Sequence, residues 1–184
     1  MLHQPILSPP PLERITVLQG QALVSASSHE EFTTVLGSCV ATCLYDPQAR
    51  VGGMNHFLLA EPPAGSSATE IDEHYGVFLM ELLINQMLAR GAAKCRLRAH
   101  LYGGANMRSG MAPIGSRNAL FARRFLAEEG IVLVREDLGG GNARRVDFRP
   151  AAGRVRCRSV EPAMAPAIRP TARPPLSGGD VELF

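Results

Sequence analysis

The chain has 184 residues, 46% of them hydrophobic and 20% charged, the balance of an ordinary soluble globular protein with one domain and a sizeable core. No apolar run approaches the roughly 18 residues that a membrane helix needs. The opening Met1-Leu2-His3-Gln4-Pro5 has neither the basic nor the apolar region of a secretory signal, so the cytoplasm is the expected compartment and no membrane insertion is expected. The net charge of +2 hides an asymmetry: residues 1–89 hold nine acids against Arg14 and Arg50, and residues 90–158 hold 15 bases against five acids. That pattern allows a basic face for an acidic partner. The arginines are scattered rather than clustered with stacking aromatics, and there is no Trp, so a nucleic-acid interface is not expected.

In chain order, residues 1–12 carry Pro5, Pro9, Pro10 and Pro11 and read as a flexible arm. Ile15 to Ser25 alternates loosely and suggests an early strand pair. Val40 to Tyr45 is rich in β-formers and reads as a buried strand, with Tyr45-Asp46-Pro47 as a turn and Gly52 to Leu59 as its partner strand. Residues 61–67 read as a loop. Tyr75 to Arg90 is the clearest helix, with a broad apolar stripe and Gly91 as its stop. Arg96, Arg98 and His100 alternate with Leu97, Ala99 and Leu101, a strand with one wet face. Ser116 is the expected N-cap of a second helix through Glu129, closed by Gly130. Ile131 to Arg135 is another strand, and Ala143 to Arg158 a hairpin turned at Ala151-Ala152-Gly153. The domain is thus expected over residues 13–158. Residues 159–184 form a Pro- and Ala-rich tail whose apolar end, Val181, Leu183 and Phe184, reads as a short docking motif. Strands mixed with two helices give an α/β or α+β sandwich.

Four cysteines, Cys39, Cys43, Cys95 and Cys157, make no CxxC pair and no zinc-finger spacing. Cys39 stands apart because it follows Gly37-Ser38, a sharp bend that can present a thiol. His56 lies 17 residues on, on the strand expected to pair with the one that begins at Cys39. A thiol is a weak nucleophile until it loses its proton, and a neighbouring imidazole takes it. His3, His29, His74 and His100 are competing histidines on an arm, a loop, a helix start and an arginine-rich strand. Cys43, Cys95 and Cys157 read as small core hydrophobes or incidental thiols. Gly103-Gly104-Ala105-Asn106-Met107 lacks the spacing and lysine of a nucleotide loop and reads better as a loop lining a groove.

The runs Leu36-Gly37-Ser38-Cys39-Val40, Cys43-Leu44-Tyr45-Asp46 and Gly52-Gly53-Met54-Asn55-His56-Phe57 resemble the signature of the CheD chemoreceptor glutamine deamidases. The likeness continues through Tyr102 to Met107, Ile114-Gly115-Ser116-Arg117-Asn118 and Asp137-Leu138-Gly139-Gly140. The resemblance implies a single-domain three-layer α/β sandwich with mixed sheets and two main helices. It implies hydrolytic deamidation of glutamines on methyl-accepting chemotaxis receptors, with a side activity on receptor glutamyl methyl esters. It assigns Cys39 as nucleophile, His56 as general base and a threonine six residues before the cysteine, Thr33, as the group that orients the imidazole. Thr34 is adjacent and chemically equivalent, and strand alternation lets only one of the two face His56. Gly37, Ser38, Gly53 and Asn55 are the candidates for the oxyanion or substrate-binding loops. Thiol and imidazole suffice for this chemistry, so neither a metal nor an organic cofactor is expected. A CheC-type phosphatase is a further partner that the resemblance implies, which leaves an adaptor without turnover as the alternative function. A cysteine hydrolase of small free amides is the remaining class.

Overall fold

The computed structural model describes residues 11–59, 73–106 and 113–160. The Pro-rich arm up to residue 10, the loop at 61–67, Met107 and the tail from residue 161 with its apolar end lie outside them. Nine strands and two helices follow in the order β1 (Glu13–Thr16), β2 (Gln21–Ser25), β3 (Glu30–Leu36), β4 (Val40–Asp46), β5 (Val51–Phe57), α1 (His74–Ala89), β6 (Arg98–Gly103), α2 (Ile114–Glu128), β7 (Val132–Leu138), β8 (Ala143–Arg149) and β9 (Arg154–Val160). The strands make a four-stranded sheet, β1-β3-β8-β9, and a five-stranded sheet, β2-β5-β4-β6-β7. Both sheets are mixed: β1 and β3 pair in parallel, as do β6 and β7, and the other pairs are antiparallel. The five-stranded sheet is the middle layer. Its inner face meets the four-stranded sheet, and both helices cover its outer face, the three-layer α/β sandwich expected.

Burial follows from that position. Every residue of β5 is buried, because a strand covered on both faces has no wet side. In β3 the inward positions are Phe32, Thr34 and Leu36, and the intervening Thr33 and Val35 are less buried. The helix side of the middle sheet packs Val40, Leu44, Phe57 and Leu101 against Leu79, Leu83, Met87 and Phe121. A smaller core between the sheets holds Val17, Phe32, Leu36, Cys39, Ala41, Cys43, Met54, Tyr102, Val146 and Phe148. Burying each large apolar side chain contributes about 1.5–3 kcal/mol, so two cores clamp the middle sheet from both sides. No helix among the described residues is long and apolar enough to cross a membrane.

Two expectations need correction. The early strand pair exists as two strands that do not pair with each other: β1 joins β3 in one sheet and β2 joins β5 in the other. Between them Leu18-Gln19-Gly20-Gln21 makes a tight turn, with Gln21 N–H bonded to Leu18 O at 3.0 Å. Gly20 sits at φ 87°, which a glycine at the third position of such a turn adopts without strain. The second helix begins at Ile114 behind Pro113, not behind Ser116. Its N-terminus is satisfied from outside: Asn106 Oδ1 accepts the Ser116 N–H at 3.3 Å, and Asn106 Nδ2 donates to Ser116 Oγ at 2.7 Å. Ser116 is therefore capped by a distant side chain and caps nothing itself.

Candidate active site

The crossing at Val17 to Gly20 passes from one sheet to the other beside the start of β4, and the candidate site is built around it. On β5, His56 stands opposite Ala41 of β4. Ala41 and Cys39 both belong to the core between the sheets, so Cys39, two residues before Ala41, is the diagonal neighbour of His56 on the same face. A diagonal offset of this kind is about 7–8 Å between backbones. His56 is anchored through its main chain as well, since its carbonyl accepts the Gly20 N–H at 2.8 Å.

The hydroxyl beside His56 belongs to Thr34. Its Oγ1 lies 2.9 Å from His56 Nδ1 and donates to Val17 O at 2.8 Å. His56 Nδ1 is also 3.3 Å from the same carbonyl. A carbonyl can only accept, and the single hydroxyl proton of Thr34 is already given to Val17, so both neighbours require the proton on Nδ1. Nε2 then carries the lone pair, and it is buried with no hydrogen-bond partner among the described residues. Thr33 lies on the other face of β3, where its Oγ1 donates to Asp147 Oδ1 at 2.8 Å. The assignment of Thr33 as the orienting group is corrected on this geometry. Side chains alternate along a strand, and the inward parity of β3 falls on Thr34.

Burial sets the protonation states. It is the main cause that raises the Cys39 thiol to about 11, against a smaller opposing effect from its own backbone N–H. Burial also lowers the His56 imidazole below its ordinary value, against the Val17 carbonyl, which acts the other way. Thiol and imidazole are therefore both neutral near pH 7, and the resting site holds no thiolate–imidazolium pair. The thiol donates instead to Gln19 Oε1 at 3.5 Å, from the tip of the crossing turn. The remaining thiols have other surroundings: Cys43 is fully buried, Cys95 is exposed, and Cys157 donates to Asp137 Oδ2 at 3.6 Å.

The turn Gly37-Ser38-Cys39 is held by all three of its carbonyls. Ala105 N–H donates to Gly37 O at 2.9 Å and Gly104 N–H to Cys39 O at 2.7 Å. Asn118 Nδ2 donates to Ser38 O at 2.8 Å. Gly103, at φ 106°, lies so close that an added Cβ would stand 2.2 Å from Cys39 O, which only glycine allows. Gly37 and Ser38 thus lie directly before Cys39 in the held turn. Gly53 and Asn55 do not. A Cβ on Gly53 would meet Leu83 of α1 at 2.6 Å. Asn55 accepts the Thr42 N–H at 2.9 Å and reaches Leu79 O at 3.3 Å. Both face the helix layer, because they share the parity opposite to His56. Sequence reasoning gave no role to Val17 and Gln19, which leave no signal as residue types, or to Asn118, which entered only as the last residue of the run Ile114–Asn118. Asn118 did leave one, as a polar residue on the buried stripe of α2 between Gly115 and Ala122. Among the described residues no three His, Cys, Asp or Glu side chains gather in a way that could hold a metal ion.

Fold and site together define a mixed α/β sandwich that presents a thiol and a tautomerically fixed imidazole on one inter-sheet face. The family model for CheD, described as chemotactic sensory transduction, matches residues 58–159, so the match takes in Gly104, Ala105 and Asn118 and begins after Cys39 and His56. A protein of Zymomonas mobilis named "Probable chemoreceptor glutamine deamidase CheD" is 55% identical over 94% of this chain and 93% of its own. Proteins of the same name from Caulobacter vibrioides and Acidiphilium cryptum are 48% and 46% identical; the former covers 93% of each chain and the latter 96% of each. The solved structure of Neisseria meningitidis protein NMB0706 overlaps 71% of this chain and 65% of its own, with a TM-score of 0.48 and 10% identity, too distant to bear on function. The chain belongs to the CheD family.

Proposed function

We propose that this protein hydrolyses the carboxamide of specific glutamines on chemoreceptors, leaving glutamate and ammonia. The observation that carries the reading is the His56 geometry: Thr34 and Val17 hold the proton on Nδ1, which leaves the lone pair on Nε2, on the same inter-sheet face as Cys39. The names carried by relatives at 46–55% identity over nearly the whole chain supply the substrate class.

The chemistry follows from neutral partners. As the Cys39 sulfur attacks the carboxamide carbon, His56 Nε2 takes the thiol proton, so the thiolate forms only when a substrate is there to consume it. The carbonyl π electrons move to oxygen, and backbone N–H groups of the Ser38–Cys39 turn receive that oxyanion. His56 then returns the proton to the departing nitrogen, the C–N bond breaks, and ammonia leaves behind a thioester. Water, relieved of a proton by the same nitrogen, cleaves the C–S bond and restores the thiol. Thr34 keeps the ring oriented while it cycles through imidazolium. A substrate carboxamide displaces Gln19, whose own carboxamide rests against the thiol in the free protein. A glutamyl methyl ester forms the same thioester with methanol as leaving group, and methylesterase side activity belongs to the same proposal.

The test is mass spectrometry of a receptor cytoplasmic fragment incubated with the protein. Conversion of defined glutamines to glutamates is expected with the wild type and not with Cys39→Ala. An unchanged fragment, with the protein folded and bound to it, would leave an adaptor.

A further inference from the structure

We infer that Asn118 is a positioning residue that aims the oxyanion donor of Cys39. The inference rests on the deamidase reading for its substrate, and on geometry for its residue.

Asn118 is fully buried on the α2 face that meets the middle sheet. Its two ends reach the turn before β4 and the segment after β5. Nδ2 donates to Ser38 O at 2.8 Å, immediately before the nucleophile. Oδ1 accepts the Leu59 N–H at 2.9 Å, three residues after His56. One rigid carboxamide therefore sets the spacing between the nucleophile turn and the end of the base strand.

The consequence for chemistry comes from peptide planarity. Ser38 O and Cys39 N–H belong to one peptide unit. The described residues contain no cis bond, so the two groups point in opposite directions. By drawing Ser38 O toward α2, Asn118 turns the Cys39 N–H away from the helix. The Cys39 N–H is thus set on the side of its peptide away from α2, free to meet the oxyanion of a carbonyl attacked by the adjacent sulfur. Ala105 fixes Gly37 O in the same manner, which turns the Ser38 N–H away from Ala105 too. The brace is tight: a Cβ on Gly115 of α2 would stand 2.4 Å from the carbonyls of Gly104 and Ala105. Among the described residues, Asn118 is the side chain on this brace; the other groups are main chain and cannot be deleted. Its carboxamide offers a donor for Ser38 and an acceptor for Leu59 at every pH, whereas a carboxyl of the same size offers both only when protonated.

Two variants test this. Asn118→Asp keeps the shape and the acceptor for Leu59 but has no donor for Ser38 while ionised. Once protonated, its carboxyl O–H can donate again, and burial raises its pKa toward neutrality. Asn118→Ala has no donor at any pH. Two rates are read against wild type from pH 6 to 9, with the melting temperature of each variant: turnover of a receptor fragment, and alkylation of Cys39 located by mass spectrometry. At pH 9 Asn118→Asp is expected to lose about 10²-fold in kcat, the order of one oxyanion donor, with KM little changed and Cys39 alkylated more slowly. Both deficits should shrink as pH falls, and those of Asn118→Ala should not. Should Asn118→Ala fail to fold, the near-isosteric Asp variant carries the test alone. Wild-type rates in a folded variant, or an Asp deficit that is the same at every pH, would overturn the inference and leave Asn118 a packing residue. If the wild type itself leaves the receptor fragment unchanged, the functional reading fails, and the alkylation rates still decide the role of Asn118.

Discussion

Thr34 and Thr33 are successive residues of β3 with opposite attachments: Thr34 Oγ1 lies 2.9 Å from His56 Nδ1, and Thr33 Oγ1 donates to Asp147 at 2.8 Å on the far face of the same sheet. One hydroxyl bonds the imidazole. The other helps to satisfy a carboxylate that Arg158 also holds, at 2.9 Å.

Thr34→Val preserves shape and removes the hydroxyl, so it should lower kcat by about 10–100-fold through loss of imidazole orientation. Thr33→Val should leave turnover near wild type and cost about 1 kcal/mol of stability, the usual net worth of one hydrogen bond. Steady-state kinetics and denaturant titration of the two variants check this. If Thr33→Val has the larger effect on kcat, the orienting hydroxyl has been misplaced.

Cys39→Ala should abolish deamidation while the fold and receptor binding persist, because it deletes the nucleophile and little volume. His56→Ala should cost about 10²–10⁴-fold for each proton transfer it removes. Measurable turnover at the wild-type rate in either variant would exclude the covalent route.

The thiols should react in an order that the sequence does not suggest. With Cys39 raised to about 11 by burial and bonded to Gln19, iodoacetamide at pH 7 should label exposed Cys95 first. Labelling of Cys39 should climb as pH rises toward about 11, since only the thiolate reacts. Gln19→Ala should speed it by uncovering the sulfur. Peptide mapping over a time course reads all of this, and Cys39 outpacing Cys95 at neutral pH would mean a preformed thiolate.

The histidines fix the acid side. His56 and His100 are both buried, and burial lowers both below their ordinary values. In each case the unfolded chain binds the proton more readily than the folded one. Their contribution to stability is therefore complete above an unfolded value of about 6.5 and is lost progressively below it. Melting temperature should be level from pH 8 to that point and fall beneath it. The acid limb of kcat/KM should lie below about 6.5, because His56 stays an unprotonated base at lower pH than a free imidazole. A melting temperature that does not change down to pH 5 would contradict the neutral burial of these rings.

The primary structure determined a good deal by itself. The strand Val40–Asp46 and its partner Val51–Phe57 were legible from β-forming runs around a turn, α1 from its apolar stripe and Gly91, and the last hairpin from Ala151-Ala152-Gly153. That Cys39 and His56 fall on one sheet face follows from the hairpin register, Ala41 opposite His56, and that register is a local property. The choice between Thr33 and Thr34 was not local. It depends on which face of β3 meets the other sheet, and that is decided by the packing of Phe32 and Leu36 into the inter-sheet core. The same reason misplaced Gly53 and Asn55: β5 is buried on both faces, so hydrophobicity carries no parity to say which side His56 takes. Nor could sequence tell that β1 and β2 part into different sheets, since neighbouring strands carry no mark of their eventual partners. That parting puts Val17 O against the imidazole and Gln19 against the thiol. The neutral state of both reactive groups is likewise a tertiary property, because it arises from how much water the assembled layers exclude.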